Sequence, residues 1–191
     1  MADTVLKKED KNKAKPYFFV MGEKMTKDKK KVIREILSYV LIIVAVILIK
    51  TFVVSPIRVN GDSMYNTLHD QDIMILNETS YWFKDIERFD IVVIKSHDEY
   101  LIKRVIGLPG EKIECRDGTI YINGKKIKDK YAYSKTEDFN KVEINNDEYF
   151  VLGDNRSNSL DSRVFGVFKK KDIKGKAIIT IYPFKRFGFK K

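Results

Sequence analysis

Residues Tyr100–Gly110 read YLIKRVIGLPG. The alternation places Leu101, Lys103 and Val105 on one face of a strand and Ile102, Arg104 and Ile106 on the other. Pro109-Gly110 is a turn signal that ends the run. Lys103 shares its face with apolar neighbours, where an ammonium is costly, so its pKa should fall. Arg104 is expected to carry the solvent-exposed charge. Taken alone, Lys103 is more readily read as an ordinary strand lysine whose head reaches water than as a base.

Short β-branched and aromatic runs continue in both directions from this strand. Ile57 and Val59 alternate with Arg58 and Asn60. Further strands are expected at 72–76, 90–95, 112–115, 119–122, 148–152 and 177–182. Asp117-Gly118 and Asn123-Gly124 suit tight hairpin turns. No long helical periodicity follows Ser55. Lys112–Val142, hairpin-rich and then rich in lysine and tyrosine, reads as a small β subdomain inserted into the rest. The fold class expected for 55–191 is therefore mostly β.

The N-terminal part differs in kind. Ile36–Val54 reads ILSYVLIIVAVILIKTFVV, apolar all round rather than along one stripe. As a helix it would reach about 28 Å, close to the hydrocarbon thickness of a bilayer. Lys50 lies near one end, where its amine can reach the headgroups. The run starts far from the terminus and no A-x-A site follows it, unlike a cleaved signal peptide. One transmembrane helix is expected at 35–54, after a basic tail at 1–34. Lysines and Arg34 before the span place the N-terminus in the cytoplasm and 55–191 outside. Met1–Lys31 is polar enough to be read as unstructured.

Charge and cysteine usage narrow the function classes. Met1–Arg34 holds eleven Lys and Arg against five Asp and Glu, more than half of the formal +10. A nucleic-acid reader would instead carry that charge on a folded face, so nucleic acid is not an expected partner. A single cysteine, Cys115, excludes an intrachain disulfide framework. Two histidines and one cysteine give no metal-ligand spacing.

Three segments carry chemistry. Gly61–Leu68 reads GDSMYNTL and sets Ser63 in a turn at a strand end. A serine hydroxyl needs a base to become a nucleophile, and a lysine serves only when its amine is neutral. Ser63 and Lys103 behind one apolar anchor point to a membrane-bound serine/lysine protease. Gly153–Gly166 reads GDNRSNSLDSRVFG, either a solvated loop or a network of paired Asp, Arg and Ser. Composition alone does not separate these. A Ser-His-Asp triad through His69 or His97 is the rival chemistry, and neither histidine stands in a triad motif.

With Arg88–Lys95 (RFDIVVIK) these make four motif regions in order. In that order, behind a single anchor, the chain resembles the bacterial type I signal peptidases in their Gram-positive form. The resemblance covers the anchor and nearly all of the outer domain. It implies Ser63 as nucleophile and Lys103 as general base. It implies Ser159 as the hydroxyl that orients the lysine amine, and Asp161 and Arg163 as a supporting ion pair. Asp154 and Arg156 match further structural positions. Ile57, Val59 and Ile102 match walls of the small pockets for positions −1 and −3 of the signal peptide.

The resemblance further implies that the partners are secretory preproteins and the lipid bilayer, with no metal or other cofactor. The expected location is the plasma membrane, crossed once. Two positions depart from the family pattern. Gly61 stands where some members carry a serine that contributes to the oxyanion hole, which leaves the Ser63 backbone N–H as the candidate donor. Asn66 stands where proline is frequent, so a less rigid turn is expected. The alternatives are a Ser/Lys protease with another target and a catalytically silent, membrane-tethered binding module.

Overall fold

The computed structural model describes residues 17–52, 54–96 and 99–190. It divides into two compact units, 1–47 and 48–191. The first unit consists, in its described part, of the helix α1 (Tyr17–Phe52), which also runs into the second. Tyr17–Lys31, read from its polarity as unstructured, is helical. Lysine, glutamate and methionine have good intrinsic helix propensity, so polarity alone did not decide against a helix. Val32–Leu48 exposes its large apolar side chains, among them Leu37, Leu41 and Ile47. Among the described residues no helix is long and apolar enough to cross a membrane. Residue 53 and the side chains of 49–54, which belong to the expected span, lie outside the described residues, as do residues 1–16 of the tail.

The second unit is built on two antiparallel sheets. The larger takes β1 (Val54–Arg58), β2 (Ile73–Asn77), β3 (Ile91–Ser96), β4 (Glu99–Gly107), β9 (Glu148–Leu152), β10 (Phe168–Lys169), β11 (Ile173–Tyr182) and β12 (Gly188–Phe189). Their order is β1-β2-β11-β3-β4-β9-β10, with β12 on β11. The smaller takes β5 (Lys112–Arg116), β6 (Thr119–Ile122), β7 (Lys125–Lys126) and β8 (Phe139–Glu143), in the order β7-β6-β5-β8. Both hairpin pairs adopt positive φ at each residue: Asp117 and Gly118 at 53° and 76°, Asn123 and Gly124 at 51° and 77°. That is the twist a two-residue hairpin needs.

The smaller sheet does not stand apart. Ile113, Cys115, Ile120 and Ile122 share one buried cluster with Ile106, Phe150 and Leu152 of the larger sheet. A second cluster joins Val92, Ile94, Val105 and Val151. A third gathers Val59, Met64, Leu68, Met74, Ile91 and Ala177, with Ile57 and Ile102 packed against it. This third cluster matters most for the site. It draws the end of β1 toward β4, although three strands of the path lie between them.

Candidate active site

Val59 and Met64 are buried, and between them the chain turns out of the core. Gly61 takes φ +82°, and its N–H donates to Asp70 Oδ1 at 2.8 Å. That bond is the leading reason the Asp70 carboxyl lies below its ordinary pKa. Tyr65 N–H closes on the Asp62 carbonyl at 3.0 Å, and Leu68 N–H on the Met64 carbonyl at 2.8 Å. Ser63 therefore sits at the mouth of a turn whose next residue plugs the core. Asn66 takes φ +78°, left-handed backbone that asparagine tolerates and proline cannot adopt.

Lys103 lies on β4 opposite Val92 of β3. Its Nζ donates to Ser63 Oγ at 2.7 Å, and the residue is 4 % exposed. Burial pushes its pKa down to about 8, against the opposing pull of Asp161 and then Asp154. His69 stacks edge-on to Tyr65, and its Nδ1 is buried with no hydrogen-bond partner. His97 lies outside the described residues.

Arg104 is not the solvent-exposed charge that the alternation suggested. It is fully buried and donates to both oxygens of Asp154, at 2.8 and 2.7 Å. It also donates to the Phe89 carbonyl at 2.8 Å and lies 3.7 Å from the Tyr131 ring centroid. Period-2 patterning tells which side a residue faces, not what covers that side. Here the segments carrying Asp154 and Tyr131 cover it.

The loop after β9 packs beneath Ser63. Asn155 N–H donates to the Ser63 carbonyl at 3.0 Å, and its Nδ2 donates to the Asp62 carbonyl at 3.1 Å. A Cβ added at Gly153 would lie 2.2 Å from Ser159 Oγ and 2.5 Å from the Ser63 carbonyl oxygen, so only glycine lets these segments meet. The Ser159 hydroxyl is buried and completes no hydrogen bond of good geometry, to Lys103 or to any other described residue. It still lies near enough to Asp161 to help lower that carboxyl.

Asp161 accepts from Arg163 at 2.9 Å twice and from the Gly153 N–H at 3.0 Å. Burial raises its pKa, but these bonds outweigh burial and hold it below the usual range. Arg156 donates to the Gly153 carbonyl at 2.8 Å and to Thr136 at 2.6 Å, and pairs with Asp129. It thereby fastens the loop to the segment between β7 and β8. Asn155, Gly153 and Thr67, whose hydroxyl donates to Asp154 at 2.6 Å, were not singled out from the sequence. The dense Asp–Asn–Arg run was the only signal for Asn155 and Gly153, and Thr67 had none beyond its place in the Gly61–Leu68 segment.

A cleft of about 810 Å³ opens over Ser63 and Lys103. Ile57, Val59 and Ile102 line it, with Met64, Leu76 and Leu101. Two strand edges border it. β1 pairs only with β2, and β4 pairs with β9 only from Arg104 onward. Among the described residues, the outer edges of β1 and of Glu99–Lys103 have no strand partner. The cleft thus brings two unpaired strand edges, a serine hydroxyl and a buried amine in hydrogen-bond contact into one place, an arrangement chemically suited to acyl transfer on an extended chain.

The family model described as signal peptidase, peptidase S26, matches residues 32–182. Signal peptidase I S of Bacillus subtilis is 38% identical over 169 residues, covering 82% of this chain and 92% of the relative. Signal peptidase I of Bacillus amyloliquefaciens is 38% identical over 159 residues, covering 77% and 86%. The crystal structure of a signal peptidase I from Enterococcus faecalis is 37% identical, with a TM-score of 0.45, and covers 49% of this chain and 97% of that one. The chain belongs to the signal peptidase family, peptidase S26, in its Gram-positive type I form. It is a peptidase of the signal peptidase I type, a family of serine proteases that remove signal peptides from preproteins.

Proposed function

We propose that the chain cleaves signal peptides through a Ser63–Lys103 dyad and an acyl-enzyme. The observation that carries this reading is the 2.7 Å contact between Lys103 Nζ and Ser63 Oγ, made by a nearly buried lysine. With its amine neutral, Lys103 takes the Ser63 proton as Oγ bonds to the scissile carbonyl carbon. The carbon–nitrogen bond then breaks, and Lys103 returns the proton to the departing amine. Water attacks the ester, gives its proton to Lys103, and Ser63 leaves as the free hydroxyl.

The Ser63 N–H is the oxyanion donor in this reading. Among the described residues none accepts from it. Ser159, a buried hydroxyl with unused bonding capacity, is the group that steadies the Lys103 amine. Asp161 and Arg163 hold the loop through Gly153, and Asp154 and Arg156 fix its two flanks. An extended substrate segment adds to the free edges of β1 and β4, and Ile57, Val59 and Ile102 restrict the −1 and −3 side chains to small ones. The exposed apolar surface of α1 supports a single N-terminal span over 35–54, with the N-terminus cytoplasmic and 55–191 at the outer face of the plasma membrane.

The test is incubation of purified full-length protein with a signal-bearing precursor, beside Ser63→Ala. The parent should release a mature product cut after an A-x-A sequence, and Ser63→Ala should not. Equal cleavage by Ser63→Ala would remove the nucleophile assignment.

A further inference from the structure

We infer that Asn155 is a positioning residue for the oxyanion hole, acting through the peptide group between Asp62 and Ser63. This rests on the acyl-transfer reading of Ser63. The carbonyl of Asp62 and the N–H of Ser63 belong to one planar trans peptide and point in opposite directions. Whatever grips the carbonyl therefore aims the N–H. Two donors grip it: Tyr65 N–H at 3.0 Å and Asn155 Nδ2 at 3.1 Å. Asn155 Oδ1 in turn accepts from the Ser157 hydroxyl at 3.2 Å, which holds the amide with its NH₂ toward Asp62.

The need for such aiming follows from position 61. Glycine there supplies no side-chain hydroxyl, so the Ser63 N–H has no side-chain partner at 61 in stabilising the tetrahedral oxygen. A donor is effective only when it is fixed before the charge develops. Drawing charge through the carbonyl also makes the N–H of the same peptide a better donor. The Asn155 backbone N–H separately donates to the Ser63 carbonyl at 3.0 Å. That bond survives any side-chain change at 155, so the turn stays docked while the aiming bond alone is lost.

The experiment compares parent, Asn155→Ala and Asn155→Asp on a short signal-like peptide ester and on its thiono counterpart, in which sulfur replaces the scissile carbonyl oxygen. Sulfur accepts hydrogen bonds poorly, so the ratio of oxo to thiono kcat/KM reads the oxyanion donor itself. Both variants should lower kcat for the oxo ester by about tenfold or more, with KM nearly unchanged. The thiono ester should lose much less, so the ratio collapses. Equal losses on both esters, or a rise in KM with kcat kept, would overturn the role of Asn155. Thermal melting identifies a variant that does not fold, and the other then decides. Cleavage of a signal-bearing precursor by Ser63→Ala at the parent's rate would instead sink the underlying chemistry.

Discussion

Arg104 and Asp154 form a fully buried, two-pronged ion pair, Nε to Oδ1 at 2.8 Å and Nη2 to Oδ2 at 2.7 Å. Arg104 follows Lys103 on β4, and Asp154 precedes Asn155 in the loop that holds the Ser63 turn. The pair therefore joins the strand carrying the proposed base to the loop beneath the proposed nucleophile. Removing one partner strands the other charge without water. Arg104→Ala should destabilise the protein by about 3–5 kcal/mol. Arg104→Lys should recover little, because an ammonium cannot reproduce the fork. Arg104→Met with Asp154→Leu should be more stable than either single change to alanine. Urea unfolding checks all of these, and additive losses in the Arg104→Ala/Asp154→Ala double variant would argue against the coupling.

Asn66 supplies a conformational prediction. Its φ of +78° is closed to proline, whose ring holds φ near about −65°. Asn66→Pro should displace the turn that carries Ser63, with a stability loss of about 1–3 kcal/mol and a large fall in activity. Asn66→Gly should keep both, since glycine adopts this region freely. Paired melting and activity measurements decide it. An active, stable Asn66→Pro would mean that the turn reorganises at low cost.

Strands with clean alternation were legible because one face is buried and the other is not. Thr119–Ile122, buried at every second residue, starts and ends where the pattern does, whereas Glu148–Leu152, buried at four residues in a row, was legible as a short apolar run. Phe139–Glu143 was not legible: it reads FNKVE and lies mostly exposed at the edge of the smaller sheet, so burial imposes no pattern on it. Arg104 was misread for the opposite reason, a charge buried against another charge. Ser63 and Lys103 were nameable as chemical types, but their 2.7 Å contact depends on the third core cluster folding β1 toward β4. The crowding at Gly153 and the bonds from Asn155 to Asp62 and Ser63 join segments distant in sequence, and no local pattern encodes them.

The proposed topology makes a separate prediction. Lysines before the span favour a cytoplasmic N-terminus. Protease added to intact cells with the wall removed should digest 55–191 and spare a tag at residue 1. Permeabilisation should then expose the tag. The reverse order of digestion would invert the assignment.

Lys103 gives the sharpest test of mechanism, because burial acts on activity and on stability with defined signs. With its pKa lowered from 10.5 to about 8, the amine is mostly protonated at pH 7 and mostly neutral at pH 9. Activity of the parent should rise through pH 8 and level off above it, as far as the fold persists. The folded state binds this proton less tightly than the unfolded state does. Stability is therefore reduced below pH 8, and the reduction is relieved as pH climbs from about 8 toward 10.5. Lys103→Met, which removes the buried charge and keeps much of the volume, should be more stable at pH 7 by on the order of 1–3 kcal/mol and inactive. Lys103→Arg keeps a charge that cannot be shed, with a pKa above about 12. It should be nearly inactive and gain no stability. Single-turnover cleavage of a signal-bearing precursor, run beside urea unfolding at pH 7 and pH 9, measures both effects. A Lys103→Arg rate within a few-fold of the parent would falsify the general-base role, since a guanidinium cannot take the Ser63 proton.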